Sequence, residues 1–250
     1  MLRERYMNPM TSFGFSRLFC TESNQDLLID FLNTILPFEH RVRRLTYRTR
    51  EVDGTVIIDC QPVLHVDCET DRGEKIVVEM QRAKHNFFGT RRAYYDSFPL
   101  HQPTIEHGSR NQLSAMYTLG VLGFVFCEHK DDPAIMHVVN LEAPLGQGLQ
   151  GKVQSIYLQL PKFTKTIAQI DQPFEQWLFL LNHLYDFDEP PAALQTGIFR
   201  RVFEVADIQQ FSPSERQSYA DSVKHYRDLQ NVIDTARAEG YKSAFHAGPK

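Results

Sequence analysis

The chain has 250 residues, of which 42% are hydrophobic and 23% charged, and its formal net charge is −4. That is ordinary globular composition, in a chain long enough to bury a core. The acidic balance excludes a protein that binds nucleic acid through overall positive charge, though not one with a local basic patch. The four cysteines, Cys20, Cys60, Cys68 and Cys127, form no CxxC pair and match no zinc spacing, so reduced thiols in the cytoplasm are expected. Met1–Arg5 is charged and leads into no apolar stretch, so no signal peptide is expected. The longest apolar run, near Leu119–Cys127, is too short and too glycine-interrupted to span a membrane.

In chain order, Ser23 to Asp26 reads as a helix start. Leu27, Leu28, Phe31, Leu32 and Ile35 follow with helical spacing, and Pro37 ends the helix. Residues 42–49 suit a first strand. Val63–Cys68 and Lys75–Gln81 suit two more, joined by Asp71-Arg72-Gly73, where glycine fits a left-handed turn. Residues 83–98 read as a helix. Met116–Cys127 reads as a strand buried on both faces. Ile135–Leu141 and Val153–Leu160 form a further expected hairpin, across a Gly-rich loop. From about residue 168 the pattern turns helical, with breaks at Pro190-Pro191 and a long helix over Pro213–Glu239 opened by Ser212 as cap and Pro213 at the first position. The stripe of Tyr219, Val223, Tyr226, Leu229 and Ile233 on that helix fits packing on its own domain, with self-association into a homodimer as the alternative.

The hairpin over 63–81 carries the most chemistry. With a three-residue turn and Gly73 in a bulge, Glu74 pairs with Thr70 and the ladder sets Val77 opposite Asp67, Glu79 opposite His65, and Gln81 opposite Val63. His65, Asp67, Glu79 and Gln81 then share one face, with Asp67 and Glu79 as diagonal neighbours. Two carboxylates so placed suit a hard divalent cation such as Mg²⁺, which can act on a phosphodiester. The plainer reading is a solvated strand face. Against it stands Ile76-Val77-Val78 before Glu79, the pattern of a central strand, where a lone carboxylate is costly. Downstream, Lys84, His85, Arg91, Arg92, Tyr94 and Tyr95 form a basic and aromatic cluster suited to a phosphate backbone, or an ordinary solvated helix face.

Several stretches together carry a family resemblance. They are Met7-Asn8-Pro9 with Phe13 to Phe19; Asp26 to Asn33; Thr70 to Gln81; Arg91 with Tyr94-Tyr95; Gly120 to Phe124; Leu160-Pro161-Lys162-Phe163; and Tyr226 to Leu229. In order and spacing the chain resembles the PD-(D/E)XK nuclease family transposases, also called recombination-promoting nucleases. The resemblance implies an α/β fold with a restriction-endonuclease-like core, a mixed sheet flanked by helices, and a helical C-terminal region. With it, residues 1–165 are expected to form the nuclease-like domain and the helical pattern of 166–240 an extension packed on it, while 241–250, polar and small and unlike a family ending, are expected to form a disordered tail.

It also implies a DNA endonuclease that uses Mg²⁺ or Mn²⁺. An Asp on the second strand and a Glu on the third bind the ion in that family, with Gln at the usual lysine position. Glu79 and Gln81 match the latter pair, and Lys84, Arg91, Arg92 and Tyr95 become the DNA-binding candidates. Glu22 is a weaker candidate ligand, with a favourable charge at a helix N-terminus as its plainer role. The chain departs from the pattern at His65, which stands where the family's Asp belongs. Imidazole is a poor Mg²⁺ ligand and a better one for Mn²⁺ or Zn²⁺. Asp67, two residues on, is the candidate substitute. Ser12 and Ser16 also replace the usual Asp and Lys. The alternative function is therefore a catalytically inactive DNA- or protein-binding remnant of the same fold.

Overall fold

The structure, a computed structural model, describes residues 4–48, 64–71, 73–81, 115–126, 131–140 and 153–246. Its elements in chain order are α1 (Ser12–Phe19), α2 (Gln25–Asn33), β1 (Leu45–Arg48), β2 (Leu64–Thr70), β3 (Lys75–Gln81), β4 (Met116–Leu122), β5 (Met136–Asn140), β6 (Val153–Gln159), α3 (Pro173–His183), α4 (Gly197–Ala206) and α5 (Pro213–His246). The strands make one 6-stranded sheet in the order β1-β2-β3-β4-β6-β5. Strands β3, β4 and β6 run parallel, while β1 with β2, β2 with β3, and β5 with β6 pair antiparallel. This is the mixed sheet with flanking helices that the family resemblance implies.

The two sheet faces differ. Ile76, Val78, Met80, Tyr117, Leu119, Val121, Ile156 and Leu158 join the main core with residues of all five helices. Because side chains alternate along a strand, the intervening residues of β3, β4 and β6 belong to the other face. There the apolar residues split into two small clusters, Val77 with Met116 and Val153, and Leu122 with Phe124, Phe126 and Tyr157. Between them lies a polar group, Glu79, Gln81, Thr118, Ser155 and Gln159, all buried. Every residue of Met116–Leu122 is buried, which is why its sequence reads as an unbroken apolar run.

Helix α1 is not evident from the sequence. It forms because Thr11 caps it: the Thr11 Oγ1 accepts from the Gly14 N–H at 3.0 Å and donates to the Asn8 carbonyl at 2.8 Å. Gly14 is required there, since a Cβ would fall 2.1 Å from the Asn8 oxygen. The expected cap of α2 by Ser23 is corrected. The helix proper starts at Gln25, after a single turn over Glu22–Asn24, and no side chain caps it. The Asn24 amide instead donates to the Arg17 carbonyl at 2.7 Å.

Trp177, wholly buried, packs among Phe19, Phe31 and Phe199 at ring distances of 5.9, 5.4 and 5.5 Å, and its Nε1 donates to Asp30 at 2.7 Å. That one side chain ties α3 to α1, α2 and α4. Helix α5 opens on the Ser212 cap that the sequence predicts, reinforced by a return bond from the Ser212 N–H to Glu215 at 2.8 Å. It runs on to His246, past Gly240, where the sequence leads one to expect a disordered end. The expected helix over 83–98 lies outside the described residues.

Helix α5 is bolted to the start of the chain. The Asn8 N–H donates to the Tyr219 hydroxyl at 2.8 Å, Ser12 and Ser222 share a hydroxyl bond at 2.9 Å, and Arg17 reaches Glu215 at 2.5 Å. Tyr219→Phe leaves the buried Asn8 N–H without its acceptor, so an unfolding free energy lower by about 1–3 kcal/mol is expected, read by urea titration. The Ser212 backbone N–H, and then the Arg17 guanidinium, hold the Glu215 carboxyl at about 2, below its ordinary 4.5. A depressed folded-state value means that this contribution is complete above pH 4.5 and is lost as pH falls through about 2. The urea midpoint should drop across that window, and Glu215→Gln should flatten this part of the profile.

Candidate active site on the polar face of the sheet

The turn between β2 and β3 places Gly73 at φ 78°, the left-handed region that glycine adopts without strain. The Gly73 N–H donates to the Thr70 carbonyl and the Thr70 N–H to the Glu74 carbonyl, each at 2.9 Å. The register that follows puts His65 opposite Glu79 and Asp67 opposite Val77, as the sequence predicts. His65 and Asp67 are therefore placed by register on the strand next to Glu79, with Asp67 on the diagonal. Val63, the expected partner of Gln81, lies outside the described residues.

Glu79 is 7% exposed and Gln81 3%, on a strand enclosed by β2 and β4. On β4 the residue beside Glu79 is Gly120, and on β6 the residue beside Gly120 is Tyr157. A Cβ on Gly120 would meet the Tyr157 ring at 2.8 Å. The ring thus leans over the glycine toward β3, braced edge-on by Phe126 at 5.5 Å. One row further, Gln81, Leu122 and Gln159 stand in register across the three parallel strands. The row is at the C-terminal ends of those strands, the usual place for ligands in open parallel sheets. The Gly123 N–H continues the ladder by donating to the Gln81 carbonyl at 2.8 Å.

Glu22 stands elsewhere. It is exposed in the turn before α2, and its charge acts on Tyr47, whose hydroxyl donates to the Phe19 carbonyl at 3.1 Å. Burial is the main reason the Tyr47 hydroxyl titrates above its ordinary value. Lys84, Arg91, Arg92 and Tyr95 lie outside the described residues. Among the described residues, no three His, Cys, Asp or Glu side chains converge as a metal-binding cluster.

Sequence reading missed Gly120, Tyr157 and Gln159. They stand in the cross-strand rows of Glu79 and Gln81 only because β4 lies between β3 and β6, an order that no local spacing records.

A family model for PD-(D/E)XK nuclease family transposases matches residues 9–236. The chain belongs to that family. No curated protein and no solved structure matches it. Membership in the PD-(D/E)XK transposases supports a nuclease- or transposase-like function on this fold. The match runs from α1 well into α5, so the Ser12–Ser222 and Arg17–Glu215 contacts that join these two parts of the PD-(D/E)XK chain fall within it. Among its described residues, no helix is long and apolar enough to cross a membrane.

The close approach over Gly120 gives a direct check. Gly120→Ala should lower stability by about 1–3 kcal/mol, because the buried ring must move. Combined with Tyr157→Ala, which removes the obstacle, the total loss should fall short of the two single losses added together. Additive losses in urea unfolding would show that the ring does not lie over this glycine.

Proposed function

We propose that this chain is a divalent-metal-dependent DNA endonuclease of the recombination-promoting type, with Glu79 as its main ion ligand and Asp67 in place of the family's missing Asp. The observation that carries this reading is the β2–β3 register, which brings His65 opposite Glu79 and Asp67 onto its diagonal. The donor types suit a divalent ion. Glu79 and Asp67 offer hard carboxylate oxygens, and His65 a borderline nitrogen, a set that favours Mn²⁺ over Mg²⁺. When bound, such an ion supplies positive charge against the phosphodiester oxygens and a more acidic water.

The chain's own residues do the remainder. Buried in the sheet, Glu79 holds a fixed acceptor with little freedom to lose. Gln81, one row on, offers an amide N–H to a phosphate oxygen or to the attacking water. It carries no positive charge and donates no proton to a leaving group, so less rate enhancement is expected than from the lysine usual at this position. Arg91, Arg92, Lys84 and Tyr95 are assigned to the DNA backbone on their sequence chemistry.

One observation favours the second reading, an inactive DNA- or protein-binding remnant. A histidine, His65, and not an Asp or Glu, stands opposite Glu79 in the backbone register. The two readings separate in a plasmid assay. Purified protein with Mn²⁺ is expected to convert supercoiled plasmid slowly to nicked and linear forms, more slowly with Mg²⁺, and not at all with chelator. Glu79→Ala should abolish the conversion, and Asp67→Ala should slow it more than His65→Ala does. DNA binding without cutting under every divalent ion would establish the remnant. Cutting that survives Glu79→Ala would overturn the site.

A further inference from the structure

The amide of Gln159 has no role in the site described so far. Gln159 has no exposed surface, and its Oε1 accepts from the Phe126 backbone N–H at 2.8 Å. A backbone N–H can only donate, so this bond fixes which way the amide is turned. The Nε2 group is thereby held as a donor, and among the described residues it has no hydrogen-bond partner. A buried donor left unmade costs about 1–3 kcal/mol, and native structures keep few of them without a use.

Its position suggests the use. Gln159 ends β6 in the same cross-strand row as Gln81, with Leu122 between them. Their backbones are two strand spacings apart, roughly 9–10 Å. Gln159 and Gln81 thus flank the row next to Glu79, and Glu79, Gln81 and Gln159 share the same deep burial. A phosphodiester bound at Glu79 would therefore lie one row along the strands from the level of Gln159. The surroundings of the Gln159 amide, Leu122, Phe126 and Tyr157, are apolar. An N–H donor in such a setting bonds an anionic oxygen more strongly than it would in water.

We propose that Gln159 is a phosphate-binding residue of this face, donating through Nε2 to a backbone oxygen of the bound nucleic acid while Gln81 serves the phosphodiester at Glu79. This deepens the nuclease reading and rests on it. A neutral donor of this kind adds affinity and registers the strand without releasing counterions, unlike an Arg or Lys contact.

The test uses the full chain, a fluorescein-labelled short DNA duplex, and Ca²⁺ to prevent cutting. Gln159→Met is expected to raise Kd about tenfold or more, the loss of one hydrogen bond to a charged group. The slope of log Kd against log salt should stay as in the wild type, because no cationic contact is lost. The melting temperature should fall by a few degrees, because the methionine also leaves the buried Phe126 N–H without its acceptor, so the rise in Kd and not the melting temperature reads the proposed contact. Gln159→Glu keeps an acceptor for the Phe126 N–H and brings a negative charge to the phosphate, so it should weaken binding further. It serves as the second variant if the methionine form does not fold.

Wild-type affinity in both variants overturns the proposal, as does a lowered melting temperature with unchanged Kd, which would mark a purely structural amide. A changed salt slope also overturns it. The plasmid assay with Glu79→Ala judges the nuclease reading separately. Cutting that needs Glu79, together with unchanged Kd in the Gln159 variants, removes only this inference. A wild type that neither binds nor cuts removes both.

Discussion

The left-handed turn at Gly73 decides where the candidate site stands, because β2 can pair with β3 in only one register once that turn is made. The carboxylate of Glu74 locks the turn from outside. It accepts from the Thr70 hydroxyl at 3.1 Å and is bonded to His40 Nδ1 at 2.8 Å. The apolar face demands the same register. A slip of one residue along β3 would carry Glu79 and Gln81 into the core shared with the helices, and expel Ile76, Val78 and Met80 from it. Burying a carboxylate there without a partner costs far more than any gain in pairing. Local turn chemistry and sheet-wide burial therefore give one answer, which is the mark of a well-specified element.

The sheet in turn depends on contacts between distant parts of the chain. The N-terminal segment is held against α5 by Asn8 with Tyr219, Ser12 with Ser222, and Arg17 with Glu215. Arg17 also donates to the Val205 carbonyl at 2.9 Å and lies 4.3 Å from the Phe211 ring centre. These contacts change the meaning of two residues that look like departures. Ser12 bonds a second serine across the α1–α5 contact, and the Ser16 carbonyl accepts from the backbone N–H of Cys20, a residue with a partly buried thiol, at 2.8 Å. Burial raises that thiol to about 11, so Cys20 stays protonated at neutral pH, in keeping with thiols that pack and do not react. Lys162, another motif residue, bonds the carbonyls of Asp132 and Ala134 at 2.7 and 3.1 Å. It pins the entry to the edge strand β5 and acts on the scaffold.

What the sequence reveals follows from the range of each interaction. The β2–β3 register is written in adjacent residues, the turn triplet and the alternation on either side, so it can be read directly. The body of the buried strand β4 is equally plain, because enclosure on both faces leaves few polar residues, but the strand ends at Leu122 and not at the expected Cys127, since the chain bends at Gly123 and Phe124. Helix α1 is hidden because it is short and depends on Thr11 and Asn8, whose bonds appear only when the chain turns back. Ser23 reads as a cap because of its residue type, yet Asn24 takes the position and uses its amide on Arg17. Gly120 looks like a weak point in a strand. Only the neighbouring Tyr157 ring shows why a side chain is excluded there. Gln159 belongs to the same class, since its meaning depends on β4 lying between it and Gln81.

The electrostatics of the polar face limit how it can work. At its centre stands one carboxylate, Glu79, among the neutral groups of Gln81, Thr118, Ser155 and Gln159. Lys75 belongs to the same face by parity but lies at the other end of β3, opposite Glu69. A negatively charged backbone approaching Glu79 meets repulsion there, strengthened by the low dielectric of a buried site. Asp67 on the diagonal adds to it. The amides soften that repulsion without reversing it. On the proposed reading, a cation held at Glu79 would reverse its sign, so ion and nucleic acid would each favour the binding of the other, with a reciprocal coupling. The exchange of the family's Asp for His65 acts on this coupling first. On the proposed nuclease reading it would remove one negative charge and one hard oxygen, which would weaken the grip on the ion and, through it, the attraction for DNA. On that reading loss of chemistry and loss of affinity are tied together on this face, and a remnant that still bound DNA would have to do so elsewhere, for which the sequence offers the basic residues after β3.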